Sequence, residues 1–341
     1  MKIGMFTDTW EIDGVSNSIR RARQGLENRG HEVFVFAPSA TERGWCGRDY
    51  FLKGYRFPLY KNYILSFMPE DLTRVVPDLD VIHVHTPAFV GIKGCVVASK
   101  LGLPSVFTYH TDFVMALESY ITTIPPRLIS YLGKLYLNGF LKSFRGIIFP
   151  SNYTRACSGW INAPAKQFVF STGVGEDFRP VSVTRDPRMV LTVGRVAQEK
   201  NLELIFKAME HLPEHRLVVA GSGPMLEYYR SKHESVEFLG FVEHERLLEL
   251  YSSAGCFVMA SKFDTQGMVV QEAMACGTPV AVLNHGAMPE FVTKNAGRLF
   301  PENPKEAALV IEEVCRTDFD VGVDNTVERF ARSLEDVYKS I

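Results

Sequence analysis

Cys256-Phe257-Val258-Met259 is followed by the connector Ala260-Ser261-Lys262-Phe263-Asp264-Thr265-Gln266 and then by Gly267-Met268-Val269-Val270-Gln271-Glu272-Ala273-Met274-Ala275-Cys276. The stretch closes on Gly277-Thr278-Pro279-Val280-Ala281-Val282-Leu283. Its first and last pieces are near-continuous apolar runs of strand length. The middle piece, 267–276, reads as a helix, with Gly277 past its end and Pro279 opening the next strand. Strands apolar on both faces, joined by a helix, belong to a parallel sheet covered on both sides.

Outward from that unit the pattern repeats. Short runs rich in Val, Ile and Phe recur at 2–7, 32–37, 81–85, 105–109, 146–150 and 167–171, then at 189–193, 216–220, 236–239, 256–259 and 279–283. Amphipathic stretches of helix length separate them. In the first, Ser16 is the expected cap, Ile19, Ala22 and Leu26 form the inner stripe, and Gly30 stops the helix. The class is α/β.

A length of 341 residues is about twice the usual domain, so two domains are expected. The stretch 178–187, rich in Pro, Arg and Asp, reads as the linker, with one domain over 1–178 and a second from 179. Charge is uneven across that boundary: residues 1–178 carry 19 basic and 15 acidic side chains, the remainder 18 and 24. The net charge of -2 supplies no cationic field for a polyanion, which sets nucleic acid aside as a partner. Six cysteines lie scattered without a C-x-x-C pair and read as reduced thiols. The opening run meets Asp8 too soon for a signal peptide, and no run of about 18 uninterrupted apolar residues occurs. A cytoplasmic protein is expected, with contact at the inner face of a membrane left open.

Ligands of open parallel sheets bind beyond the carboxyl ends of strands, so the residues after each run are the candidates. After the first run, Gly14 lets backbone approach a ligand just before a helix, or serves as a plain turn glycine; the G-x-G-x-x-G fingerprint of dinucleotide binding is missing. After 189–193, Arg195 and Lys200 can converge on one anion, as a planar fork and a mobile point charge, or remain a solvated pair. After 216–220, Gly221-Ser222-Gly223-Pro224 fits a flat ring or a phosphate against bare backbone, or is a turn without a ligand. The helix that starts at Gly267 would aim N–H groups and a positive half-charge beside Asp264, and Glu272, one turn in, could accept a pair of sugar hydroxyls. His110 follows 105–109 at a carboxyl edge. His83 and His85 share one strand face, but no third ligand stands at metal spacing, and Asp78-Leu79-Asp80 precedes a strand where a metal-holding D-x-D would follow one.

Taken together, Gly14, His110, Gly194-Arg195 with Lys200-Asn201, Gly221-Ser222-Gly223-Pro224, and Asp264 with Glu272-Ala273-Met274-Ala275-Cys276-Gly277-Thr278-Pro279-Val280 resemble a retaining glycosyltransferase of family four. The likeness spans nearly the whole chain, in order. It implies the GT-B architecture: two Rossmann-like domains with parallel sheets facing across a cleft, the acceptor-side domain at 1–178 and the nucleotide-sugar domain at 179–323. The last helix, 324–341, is then expected to cross back to the first domain, so that linker and helix act as a hinge.

By that resemblance Arg195 and Lys200 hold the donor diphosphate and Glu272 the ribose hydroxyls. Asp264 and the backbone at Gln266, Gly267, Met268 and Val269 meet the transferred sugar and its phosphate, with Gly221 and Gly223 also donor-binding. His110 contacts the sugar, and Gly14 approaches the distal phosphate. His110, Asp264, Arg195 and Lys200 form the implied catalytic set, with no metal and no cofactor besides the nucleotide-sugar co-substrate. One residue departs from the pattern: the family has Glu, seven residues, then Glu, and here the first is Asp264. One methylene less shifts its contact, selects another sugar or lowers activity.

Thr108-Tyr109-His110-Thr111-Asp112-Phe113 is similar to a stretch in family members acting on diacylglycerol-type lipids. Residues 126–145 mix bulky apolar with basic side chains, as an interfacial helix does, and as a buried helix with charged edges also does. The expected reaction is hexose transfer from a UDP-sugar, with GDP-sugar second, to a hydroxyl acceptor. A membrane glycerolipid is preferred, with peripheral membrane contact through 121–145. The alternatives are a GT-B nucleotide-sugar epimerase or hydrolase, and a non-catalytic two-domain binding protein.

Overall fold

The computed structural model describes residues 1–10, 14–57, 60–67, 70–120 and 124–341. The chain divides into two compact units, Met1–Gly173 with Val327–Ile341, and Val174–Thr326.

The first unit contains β1 (Lys2–Phe6), α1 (Gly14–Asn28), β2 (Glu32–Ser39), β3 (Gly44–Cys46), β4 (Asp49–Lys53), β5 (Tyr55–Phe57) and β6 (Tyr60–Leu65). It continues through β7 (Val81–Val84), α2 (Phe89–Leu101), β8 (Ser105–Thr108), α3 (Phe113–Tyr120), α4 (Pro126–Leu141), β9 (Gly146–Phe149), α5 (Asn152–Cys157) and β10 (Lys166–Val169). The sheet runs β10-β9-β8-β7-β1-β2-β4-β3 and is parallel except for the β3–β4 pair; β5 and β6 form a separate antiparallel ribbon. Successive residues of β1 feed opposite cores. Ile3 and Met5 join Ile19, Ala22 and Leu26 of α1, while Phe6 joins Ile82, Val84 and Val90. Each such side chain contributes roughly 1.5–3 kcal/mol by leaving water, so both faces hold the sheet.

The second unit contains β11 (Asp186–Val193), α6 (Leu202–Met209), β12 (Arg216–Ala220), α7 (Leu226–Lys232), β13 (Glu237–Gly240), α8 (His244–Ser253) and β14 (Ala254–Met259). It ends with α9 (Met268–Ala275), β15 (Val280–Leu283), α10 (Met288–Phe291), β16 (Gly297–Phe300) and α11 (Pro304–Arg316). All its strands are parallel, in the order β13-β12-β11-β14-β15-β16, the doubly wound arrangement. Here too residues alternate between cores: Val190, Cys256 and Val258 face one, Leu191, Phe257 and Met259 the other.

The last helix, α12 (Val327–Ser340), belongs to the first unit. Its Ala331, Leu334 and Val337 join the α1 core, and Arg29 Nε donates to Glu335 at 2.8 Å. The units separate at Gly173, before the stretch 178–187 that reads as a linker, and residues 324–326 stay with the second unit. The reason is local: Val174 pairs with Thr326 as a parallel bridge and its N–H donates to Asn325 O at 2.8 Å, while the Phe178 ring meets His244 edge-on. Two further expectations shift. Ser16 lies buried inside the first turn of α1, which begins at Gly14, so it is not the cap. The strands β4 to β6 and β16 escape an apolar-run reading because they include Asp49, Lys53, Arg56, Lys61 and Arg298, and β3 escapes it because it is only three residues long.

Candidate active site

In the second unit the strand order reverses between β11 and β14, and the loops leaving these strands diverge, opening a crevice at their carboxyl ends. Residues 194–200 leave β11 and 260–267 leave β14. Across this crevice Lys200 Nζ donates to both carboxylate oxygens of Asp264, at 3.0 and 2.9 Å. Burial alone would raise the Asp264 carboxyl, but the Lys200 charge and hydrogen bonds from Ser261 and Lys200 outweigh it and hold the group below its ordinary value. Arg195 pairs with Glu199, and Gly194, Arg195, Lys200, Met259 and Ala260 line one concavity.

Gly221 and Gly223 border the same loop, and the space their side chains would take is filled by it. A Cβ on Gly221 would lie 1.9 Å from Gly194 O, and one on Gly223 2.2 Å from Val196 O. Val196 N donates to Ser222 O at 3.0 Å, so the two exit loops lie backbone against backbone. Close approach of main chains therefore accounts for both glycines.

Gly267 precedes α9 in the left-handed region, φ 62°. The N–H groups of Met268 and Val269 open the helix ahead of its i to i−4 ladder. Gln266 is buried and its carbonyl accepts from Gln271 Nε2 at 3.2 Å. Glu272, in the second turn, is buried and accepts from Tyr251 Oη at 3.3 Å.

The order of the first unit's sheet reverses between β1 and β7, where Asp8 and Thr86 meet: Thr86 Oγ1 donates to Asp8 at 2.6 Å. Asp8 also accepts from Val90 N at 2.8 Å and Gly91 N at 3.3 Å, capping α2. Burial raises its carboxyl despite these donors and Lys93. Asp8 was not among the sequence candidates, although a carboxylate directly after an apolar strand was the available signal. Gly14 is exposed at the start of α1, and residues 11–13 before it lie outside the described ones.

His110 belongs to a cluster. His85 Nδ1 lies 2.9 Å from His110 Nε2, and the rings of His83 and His85 lie 4.0 Å apart between centroids. His83 uses both nitrogens, Nδ1 with Tyr338 Oη and Nε2 with Thr108 Oγ1, each at 2.7 Å. Burial pushes His83 down to about 3 and His110 to about 4, and His85 well below its ordinary value. With its lone pairs and protons so engaged, His83 is no partner for a metal pair with His85, and Asp80 Oδ2 accepts from Lys2 N at 2.7 Å. Among the described residues no group of three His, Cys, Asp or Glu side chains could hold a metal ion.

Helix α4 carries two apolar stripes. Ile129, Gly133, Leu137 and Phe140 face the core, whereas Leu128, Tyr131, Leu132 and Leu135 face solvent, with Tyr131 65% and Leu135 61% exposed. Among the described residues the second stripe stays exposed, and Arg127 and Lys134 flank it. Residues 121–123 of the segment expected at a membrane lie outside the described ones. Among the described residues no helix is long and apolar enough to cross a membrane.

Two family models match the chain in succession: Glycosyltransferase Family 4 over residues 12–177 and Glycosyl transferases group 1 over 175–332. The chain is 26% identical over 356 residues to an alpha-monoglucosyldiacylglycerol synthase of Streptococcus pneumoniae, covering 93% of this chain and 79% of that one. It is 28% identical over 346 residues to the protein of the same name from Acholeplasma laidlawii, covering 88% and 84%. It is also 28% identical over 322 residues to a GDP-mannose-dependent alpha-mannosyltransferase of Mycobacterium tuberculosis, covering 88% and 83%. Among solved structures, Anabaena HepE in complex with UDP and glucose superposes with a TM-score of 0.75 at 15% identity, over 100% of both chains. The chain thus belongs to the family-four glycosyltransferases and is built on the GT-B fold of two Rossmann-like units.

Proposed function

We propose that this glycosyltransferase moves glucose from UDP-glucose, or a hexose from a GDP-sugar as second choice, to a hydroxyl of a glycerolipid at a membrane surface. The transfer retains anomeric configuration and needs no metal ion. The observation that carries this reading is the meeting of Arg195 and Lys200 in one concavity where the second unit's strand order reverses, with Lys200 bonded to Asp264 of the loop that leads into α9.

Breaking the bond from the sugar's anomeric carbon to the phosphate oxygen leaves a nucleoside diphosphate with added negative charge. Fixed cations and helix N–H groups stabilise charge as it develops, because they need no reorganisation at that moment. Arg195 and Lys200 take the diphosphate, and the Gly267–Val269 backbone its distal end. Asp264 accepts a sugar hydroxyl while tethering Lys200, Glu272 holds the ribose, and His110 takes part in the transfer. The acceptor oxygen bonds to the anomeric carbon on the face the phosphate leaves, and its proton passes to the departing phosphate oxygen. The paired carboxylates of glycoside hydrolysis have no part in this route.

The acceptor rests on two supports: the names of the pneumococcal and Acholeplasma relatives, and the exposed stripe of α4, whose apolar and basic side chains suit an anionic interface. The test is incubation with UDP-, GDP- and ADP-glucose and vesicles of diacylglycerol with anionic phospholipid. An α-linked glucosyl lipid from UDP-glucose is expected. Sugar release without lipid product means a hydrolase, and no turnover of any donor rejects the reading.

A further inference from the structure

The contact between His85 and His110 needs one proton between two nitrogens, and the two placements differ in what they leave behind. His85 is 3% exposed, and its Nε2 is buried with no hydrogen-bond partner. If the shared proton sat on His110 Nε2, neutral His85 would carry its own proton on that buried Nε2, an N–H with no acceptor. If the shared proton sits on His85 Nδ1, the unpaired atom is a lone pair instead. Orphaned buried N–H groups are the rarer defect, and the hydrogen bond at one ring nitrogen sets the tautomer at the other. We propose that His85 is a positioning residue that donates from Nδ1 to His110 Nε2, and so fixes His110 as the tautomer protonated on Nδ1.

The fold holds the donor rigidly enough for this. His83 and His85 are alternate residues reaching the same face at the end of β7, and the His83 ring forms a wall 4.0 Å from that of His85. The wall is itself pinned at both nitrogens, by Thr108 from β8 and by Tyr338 from α12. His110 N donates to Thr108 O at 3.1 Å, which ties the acceptor's main chain to the same strand end. The His85 ring therefore has its plane set by a neighbour other than His110, and the His110 main chain is fixed beside it.

The chemical consequence rests on the function proposed above. Protonated on Nδ1 and with its Nε2 lone pair engaged by His85, His110 has no lone pair left at neutral pH. His110 then takes part in the transfer without acting as a base.

The test reads the tautomer directly, from the ring 15N resonances of uniformly labelled full-length protein, with His110 assigned by loss of its signals in His110→Gln. The proposal predicts a pyrrole-type Nδ1 and a pyridine-type Nε2 for His110 at neutral pH. His85→Asn, whose amide N–H can replace the donor, should keep that pattern. His85→Asp, which only accepts, should move the His110 proton to Nε2. Transfer at saturating donor should survive in His85→Asn and fall roughly tenfold or more in His85→Asp, with donor KM little changed. A pyridine-type Nδ1 in the wild-type spectrum overturns the proposal and needs no variant to fold. The predicted spectra with undiminished transfer in His85→Asp support the tautomer assignment and count instead against a part for His110 in transfer.

Discussion

Lys200 and Asp264 are 64 positions apart and meet at 2.9 Å because β11 and β14 are neighbours whose exit loops turn away from the same edge. The pair gives a cation with a fixed position and a carboxylate that stays ionised. A diphosphate that binds here competes with Asp264 for the same ammonium.

The competition has a measurable sign. Asp264→Asn removes the rival charge, so UDP should bind several-fold tighter, roughly the worth of one partly screened charge contact. Turnover should drop in the same variant, since the acceptor proposed for the sugar hydroxyl loses its charge. Titration calorimetry beside a steady-state assay checks both, and weaker UDP binding in Asp264→Asn contradicts the competition.

Arg195→Ala and Lys200→Ala should each lower kcat/KM for the donor by about 2–4 kcal/mol, the scale of one charge-assisted partner to a leaving group. Circular dichroism should be unchanged, because both side chains are partly exposed and pair with carboxylates on loops.

The first unit should weaken as pH falls below neutrality. His83 at about 3 and His110 at about 4 lie below the ordinary value of 6.5, and His85 lies well below it as well. Between 6.5 and those values the unfolded chain binds protons that the folded chain refuses. Stability is therefore full above 6.5 and declines as pH drops through that window, by up to about 1.4 kcal/mol per pH unit for each histidine. Urea midpoints at pH 7 and pH 5 test this; equal midpoints would mean that the cluster accepts protons while folded.

Tyr338→Phe deletes the hydroxyl that meets His83 Nδ1 and leaves a buried nitrogen unpaired, costing about 1–3 kcal/mol. Because Tyr338 comes from α12, the loss should appear in the unfolding of the first unit. A loss confined to the second unit would contradict the grouping of residues 327–341 with residues 1–173.

Replacing Leu128, Tyr131 and Leu135 together by Glu should abolish sedimentation with anionic vesicles at little cost in stability, since all three face solvent. Unaltered vesicle binding would remove α4 as the docking element.

The parallel architecture was legible because its central strands are apolar without alternation, and the site loops were legible because they follow those strands. What escaped depends on pairing across distance. Glu199 and Asp8 acquire meaning only from where Arg195 and Thr86 come to lie. Gly221 and Gly223 were legible as glycines, but the backbone they admit belongs to residues 194–196. His83 and His85 were legible as sharing one face, yet only the arrival of His110 and Tyr338 shows where their nitrogens go. The composition of α4 fitted a buried and an interfacial helix equally, and burial shows one face packed in the core and one exposed to solvent.

In the proposed function the crevice between β11 and β14 receives a nucleoside diphosphate on Arg195 and Lys200. Calorimetric titration of UDP and GDP into the wild type and the Arg195→Ala/Lys200→Ala double variant tests it most directly. Saturable binding of at least one nucleotide by the wild type is expected, weakened about a hundredfold or more in the double variant. Equal affinity in both proteins, or no binding of either nucleotide to the wild type, would contradict it.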